Sequence, residues 1–209
     1  MATHFKNTDL AQMDRRYRAN LINSISGAKS ANLIGTISEV GTSNVALFSS
    51  VFHLGADPAL VGMLSRPNTV PRHTLENIRA TGVYSINHVH SGMIQTAHLS
   101  SARSDGDKFK LTGLGEEFVD GFKAPFVRES FVKIGLSLEQ VIDIELNGTH
   151  LIIGRVEHIL IPNNCLLMDG DIDFSVLDSV AVTGLYTYHQ LQQLEKLPYT
   201  KSDRGKERT

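Results

Sequence analysis

A short segment near residue 50 carries hydroxyl side chains at the point where a predicted strand ends. The strand follows Asn44, and an Asp-Pro turn at Asp57 and Pro58 comes after the hydroxyl-bearing stretch. The hydroxyl-bearing stretch contains Ser49 and Ser50. Small hydroxyl side chains at the end of a strand can bind a ligand by hydrogen bonding.

A second segment, Arg72-His73-Thr74, crowds donors into the first turn of a predicted helix that Pro71 precedes and that continues through Asn77. A helix N-terminus offers unpaired N–H groups and the positive end of the helix dipole, which together suit a phosphomonoester. The alternative is structural: Thr74 caps the helix and Arg72 faces water. The segment alone leaves both interpretations open.

Hydrophobic periodicity predicts the elements that position these segments. A helix capped by Thr8 or Asp9 runs to about Ser26, and we expect it, within residues 1–30, to pack on the domain that follows. A second helix of about ten residues starts at Pro71 and ends at Gly82. Strands are predicted over Ala31–Ile37, Val45–Phe52, Leu60–Leu64, Val83–Asn87, Phe131–Leu138, Gln140–Leu146 and Thr149–Ile161.

Turn signals join these strands into a meander. Glu39–Ser43 predicts one hairpin turn, and Asn147-Gly148 is the strongest short hairpin signal in the chain. Gly92–Ala102 has helical spacing, whereas the Gly-rich stretch from Asp105 to Pro125 predicts an irregular surface excursion. The pattern favours a mainly β fold, an antiparallel barrel with peripheral helices, over a doubly wound sheet. We expect this domain to span residues 31–200 and the polar tail, residues 201–209, to be mobile.

Composition and motifs exclude several classes of function. The formal charge of −2 provides no basic field for nucleic acid, and the chain contains no G-x-G-x-x-G, P-loop, H-E-x-x-H or G-x-S-x-G motif. His88 and His90 could share one face of a strand, but no carboxylate or thiol stands at ligand spacing, so no metal site is predicted. The run from Asp169 to Asp173 lacks the Glu of a calcium loop and predicts a solvated turn.

The single cysteine, Cys165, lies in an apolar stretch, so a buried structural thiol in a reducing compartment is expected. No apolar stretch is long enough to cross a membrane, and the first residues lack the pattern of a secretion signal. The sequence therefore predicts a cytoplasmic protein with no membrane partner.

Taken together, the two polar segments resemble the flavin reductase-like family of FMN-binding split β-barrels. The similarity continues through DKFKLTGL at 107–114, APFVRES at 124–130 and GRVEHI at 154–159. The chain departs from the family pattern at Leu47, His73 and Leu138. The residues in register with the pattern are Asn44, Ser49, Asp57, Pro58, Arg72, Thr74, Asn77, Ile78 and Asn87.

The resemblance implies a homodimer that binds FMN in a groove at its interface. It places Phe48, Ser49, Ser50 and Val51 beside the isoalloxazine ring and Arg72, His73 and Thr74 near the ribityl or phosphate oxygens, while Asn44 and Asn77 touch the ligand or brace the loops. Such proteins take hydride from NADH or NADPH onto flavin N5 and pass electrons to an acceptor that the sequence does not identify. The flavin does the redox chemistry, so no catalytic side chain is predicted.

Two alternatives remain open at this point. The first is a non-catalytic FMN-binding electron carrier or flavin store, whose sequence can look the same. The second is a pyridoxamine-phosphate oxidase-like or haem-handling split barrel, which the register of the motifs disfavours.

Overall fold

A computed structural model describes residues 1–68, 72–102, 104, 106–119 and 121–198. Its main element is a sheet of seven strands: β2 (Asn32–Ile37), β3 (Ser43–Phe48), β4 (Val51–Ala56), β5 (Ala59–Ser65), β6 (Val83–His88), β9 (Lys133–Ile144) and β10 (Thr149–Leu160). The sheet is fully antiparallel, with the strand order β3-β2-β6-β9-β10-β5-β4. The prediction of an antiparallel, mainly β fold is thus confirmed.

Two smaller sheets complete the strand inventory of the described residues. One joins β1 (Lys29–Ser30), β11 (Val180–Thr183) and β12 (Thr187–Gln190), and the other pairs β7 (Glu116–Glu117) with β8 (Phe126–Val127). The β11–β12 hairpin borders the cleft that is described below.

The two edge strands of the main sheet, β3 and β4, are consecutive in the chain. Only Ser49 and Ser50 connect them, yet β3 pairs with β2 and β4 pairs with β5 at the opposite edge. The sheet must therefore curl until its two edge strands lie near each other. No strand pairing joins β3 to β4 among the described residues. We call this opening the β3–β4 gap. The prediction of one continuous strand over Val45–Phe52 was wrong, because the chain changes sheet edge at the two serines.

The strands β9 and β10 form a long hairpin around the predicted Asn147-Gly148 turn, where Gly148 has φ +70°. The register shifts at Glu139, which is an extra residue on β9 opposite the step from Ile153 to Gly154. The sequence predicted two separate strands here because a bulge interrupts the alternation of apolar side chains without ending the strand.

The N-terminal helix is broken, contrary to the prediction of one helix to Ser26. Asp14 has an extended ψ of 137°, and its carboxylate accepts hydrogen bonds from the N–H groups of Arg16 and Tyr17. This N-cap starts a new helix, so the segment forms α1 (Asn7–Gln12) and α2 (Arg15–Ser24), and neither contains a buried residue. The predicted tail, residues 201–209, lies outside the described residues.

The remaining helices flank the sheet. As predicted, α3 (His73–Thr81) ends at Gly82, which has φ +73°. The segment predicted as helical over Gly92–Ala102 contains a 3₁₀ turn at Ser91–Met93 followed by α4 (Ile94–Leu99). Two short helices follow, α5 (Lys108–Thr112) and α6 (Phe174–Leu177).

Two core clusters cover opposite faces of β2. Leu33 packs with Phe109 of α5 in one cluster, and Ile34 packs with Leu75 and Ile78 of α3 in the other. Successive strand residues point to opposite faces, so α5 and α3 lie on different sides of the same strand. The segment from Asp105 to Pro125 was predicted as a surface excursion, and this was wrong. Its apolar side chains Phe109, Leu114 and Phe122 are buried.

Other expectations concern individual side chains. Cys165 is buried at 1% exposure, as expected. His88 stacks on Phe174 and His90 on Phe131, and the described residues contain no cluster of potential metal ligands. Lys196 forms ion pairs with Asp169 and Asp171. Within the described chain, no helix has the length and apolar character needed to cross a membrane.

Candidate flavin site

A cleft of about 630 Å³ opens at the β3–β4 gap. The ends of β3 and β5, the start of α3, the chain between α4 and α5 and the tip of the β11–β12 hairpin form its walls. Its volume falls in the range of small-molecule and cofactor sites. The polar lining residues are Asn23, Lys29, Ser49, Ser50, Ser65, Arg66, Arg72, His73, Thr74, His98, Ser101, Ser104, Lys108, Thr149 and Tyr186.

The cleft brings together most of the residues predicted from the two polar segments, which lie on different elements. Those that line it are Phe48, Ser49, Ser50, Arg72, His73 and Thr74. Val51 instead packs against the core cluster around Ile34, and Asn44 and Asn77 do not border the opening.

Asn44 and Asn77 form a buried polar cluster beneath the start of α3. The Asn44 amide donates to Thr74 Oγ1 at 3.2 Å and to Thr36 Oγ1 at 3.3 Å, and the Asn77 amide donates to Thr36 Oγ1 at 3.1 Å. All four side chains are at most 9% exposed. The cluster ties the first turns of α3 to β2 and β3, so these asparagines brace the site.

The β3–β4 connection presents unpaired main-chain donors. The N–H groups of Ser49 and Ser50 donate no hydrogen bond to any described residue, although the Ser50 carbonyl accepts one from Leu64 N at 2.9 Å. Both serines are partly exposed on the cleft wall. Because main-chain donors normally pair, these two N–H groups, which bond to no described residue and belong to residues that line the cleft, are available to a ligand.

The cleft is positively charged despite the acidic balance of the whole chain. Its described lining includes Lys29, Arg66, Arg72 and Lys108 and contains no Asp or Glu. The Arg72 guanidinium donates to the carbonyl of Pro67 at 3.2 Å, which orients it at the start of α3. The N-terminus of α3 adds the positive end of its dipole. This end of the cleft suits a phosphate group.

Sequence reasoning missed the far wall of the cleft. Lys29, His98, Lys108 and Tyr186 come from four separate elements that only the folded chain brings together. A signal existed for Lys108, because it lies in the DKFKLTGL segment that supports the family resemblance. Nothing local marks the other three residues as neighbours of the β3–β4 gap.

The sequence profile of the flavin reductase-like domain matches residues 28–175. The chain belongs to that family. The match covers the main sheet, α3 and the lining of the cleft except the β11–β12 hairpin and Asn23. The resemblance inferred from the two polar segments is therefore confirmed.

Solved structures support the same assignment. A Shewanella frigidimarina protein provisionally described as a flavin reductase with a split barrel domain is 44% identical, with a TM-score of 0.91 over 95% of this chain and 100% of that one. Nitrilotriacetate monooxygenase component B from Bacillus cereus (18% identity, TM-score 0.83, 94% and 100% coverage) shares the fold. Flavoredoxin of Desulfovibrio vulgaris (20%, 0.72, 83% and 92%) does so too. A comparison with curated protein sequences gave no match.

The departures from the family pattern have simple structural settings. Leu47 packs against the core cluster around Leu33 and also borders the cleft. Leu138 packs against the cluster around Ile34, and His73 is the first residue of α3. None of the three removes a donor from the cleft wall, so the residues present fit a flavin and its phosphate.

Proposed function

We propose that this protein is an FMN-binding oxidoreductase that accepts electrons from NADH or NADPH. The observation that carries the proposal is that one cleft contains both the Ser49 and Ser50 N–H groups, which bond to no described residue, and the cationic start of α3. The first group suits the polar edge of a flavin ring, and the second suits a phosphomonoester.

In this proposal the start of α3 holds the FMN phosphate. Arg72 supplies a fixed charge, Thr74 supplies a hydroxyl, and His73 places a ring at the same helix start. Asn44 and Asn77 act indirectly, since they hold Thr74 and α3 against the sheet. Phe48 lines the cleft beside the serines as an apolar surface for the ring. Val51 supports this wall from the core side.

FMN bound in this cleft would supply the redox chemistry, namely hydride uptake from the nicotinamide and transfer of electrons to an acceptor. The chain orients the ligand and provides a positive environment. The described lining contains no acidic side chain that could serve as a general base, and we assign no catalytic residue.

We also propose a homodimer. Apolar side chains on and just after α2 are exposed, with Tyr17 56%, Ile22 45% and Ile25 68% exposed. A two-fold contact would cover such a surface, and Asn23 on the same helix borders the cleft.

The second candidate function is a flavin-binding electron carrier, favoured by the fold shared with flavoredoxin of Desulfovibrio vulgaris. Anaerobic mixing of the FMN-loaded protein with NADH or NADPH separates the two. Oxidised flavins absorb at about 450 nm, and we expect this absorbance to bleach at a rate typical of enzyme turnover. Flavin that stays oxidised with both nucleotides would assign the carrier function instead.

A further inference from the structure

The cleft has a second cationic end, formed by Lys108 and Lys29. Lys108 is the first residue of α5, which packs on the Phe109 side of β2 and β3, whereas Arg72 precedes α3 on the other side. The lining of the cleft also includes His98 near the end of α4, Ser104, and Tyr186 on the β11–β12 hairpin. The two cationic ends thus lie on opposite faces of the edge strand β3.

Lys108 is the least satisfied cation of this second end. Its ammonium group donates to a single protein acceptor, the Ser100 carbonyl at 3.1 Å, and forms no ion pair with a described residue. The side chain is partly buried, and burial lowers the pKa of its ammonium group. A partly desolvated cation with unused donors gains from an anionic ligand.

Lys29 differs from Lys108 because its donors are already used. Its ammonium group contacts the carbonyls of Asn23 and Gly27 and the hydroxyl of Ser26, at 3.1, 3.3 and 3.1 Å. It fixes the end of α2 beside the cleft and adds positive charge there. Lys108 is therefore the residue of this end whose ammonium group can bind an anionic ligand.

We propose that Lys108 binds the diphosphate of the nicotinamide dinucleotide, at a subsite separate from the one that holds the FMN phosphate. This inference rests on the proposed function, since it names where the electron donor is held. A dinucleotide carries its negative charge on the diphosphate, and the hydroxyls of Ser104 and Tyr186 line the same cleft as further potential donors. Two anionic groups in one cleft repel each other, so binding them at cationic ends on opposite faces of β3 keeps them apart.

The test uses ADP-ribose, a non-redox probe that contains the diphosphate, and measures its dissociation constant by calorimetry together with that of FMN. Lys108→Gln should weaken ADP-ribose binding by about 10- to 100-fold, the loss of one charge-assisted contact, and leave FMN binding unchanged. Lys108→Arg, which keeps the charge, should retain most of the ADP-ribose affinity.

The matched control is Lys110→Gln on the same helix, because the Lys110 side chain is 86% exposed and forms its ion pair with Asp107. It should change neither dissociation constant. Unchanged ADP-ribose binding in Lys108→Gln would overturn the proposal, as would an equal loss of FMN and ADP-ribose, which would assign Lys108 to the flavin phosphate. Failure of the parent protein to bind FMN would reject the proposed function, whereas the ADP-ribose comparison would still decide the subsite.

Discussion

The Asn44 side-chain amide lies 3.2 Å from the hydroxyl oxygen of Thr74, so β3 is tied directly to the first turn of α3, which lines the cleft. Because the pair is buried, Asn44→Ala removes two donated hydrogen bonds and should lower the free energy of unfolding by about 1–3 kcal/mol. FMN affinity should fall as well, since the first turn of α3 is no longer held. Chemical denaturation and FMN titration measure the two effects.

A matched substitution at an exposed asparagine controls for this result. Asn163→Ala lies in a 3₁₀ turn away from the cleft and should change stability by less than about 0.5 kcal/mol and leave FMN binding unchanged. Full FMN affinity in a destabilised but folded Asn44→Ala protein would show that the brace does not position the phosphate site.

The main-chain donors at the β3–β4 gap give a second prediction. Ser50→Ala keeps the N–H group and should alter FMN binding by no more than about 1 kcal/mol. Ser50→Pro deletes an N–H group that makes no hydrogen bond within the described chain and leaves the Ser50 carbonyl for Leu64, yet it should weaken FMN severely. Circular dichroism of the apo-protein establishes that the proline variant is folded. If that variant bound FMN like the parent, the ring would lie against another wall.

Short-range patterns in the sequence predicted the elements that position the phosphate site. The spacing of Leu75 and Ile78 and the Gly82 stop gave α3 to within a few residues, because a helix and its cap depend on neighbouring residues. Asn147-Gly148 gave the long hairpin for the same reason. The alternation across Val45–Phe52 showed strand character and could not show a change of pairing partner, which depends on distant strands.

The far wall of the cleft required the folded chain. Lys29, Lys108 and Tyr186 meet only because β1, α5 and the β11–β12 hairpin pack around one edge strand. The break at Asp14 was local and was missed because the apolar spacing continues across it, while the carboxylate caps the next helix. The sequence allowed Asn44 and Asn77 either to bind the ligand or to brace the loops. Their contacts with Thr36 and Thr74 in the folded chain favour bracing.

Acid should destabilise the fold through His88, which stacks on Phe174. Burial lowers the pKa of His88 from 6.5 to about 4. Between these values the unfolded chain binds the proton more readily, so the free energy of unfolding should fall as the pH drops from about 6.5 to about 4. The full loss is about 3 kcal/mol, and above pH 6.5 the group contributes no pH dependence.

Denaturation curves across this range should therefore be flatter for His88→Asn than for the parent protein. His53→Asn, at an exposed position on β4, serves as the control and should retain the parental slope. An identical slope in the parent and in His88→Asn would remove His88 as the source of acid sensitivity.

The exposed side of α2 predicts the oligomeric state. Light scattering should give a mass of about twice 23.0 kDa, and Ile25→Lys should shift the equilibrium toward the single chain because it places a charge in an apolar contact. Val40→Lys, which changes a side chain 88% exposed in a hairpin turn, should leave the mass unchanged. A parent mass near 23.0 kDa at micromolar concentration would contradict the proposed dimer.

The central claim is that the start of α3 binds the phosphate of FMN in the cleft at Ser49 and Ser50. Calorimetric titration of the apo-protein with FMN and with riboflavin, which lacks the phosphate, tests it most directly. We predict one FMN per chain and tighter binding of FMN than of riboflavin. In Arg72→Ala, FMN affinity should fall by about 1.5–3 kcal/mol while riboflavin affinity stays the same. Equal affinities of the parent for the two flavins, or an equal loss of both in Arg72→Ala, would contradict this account.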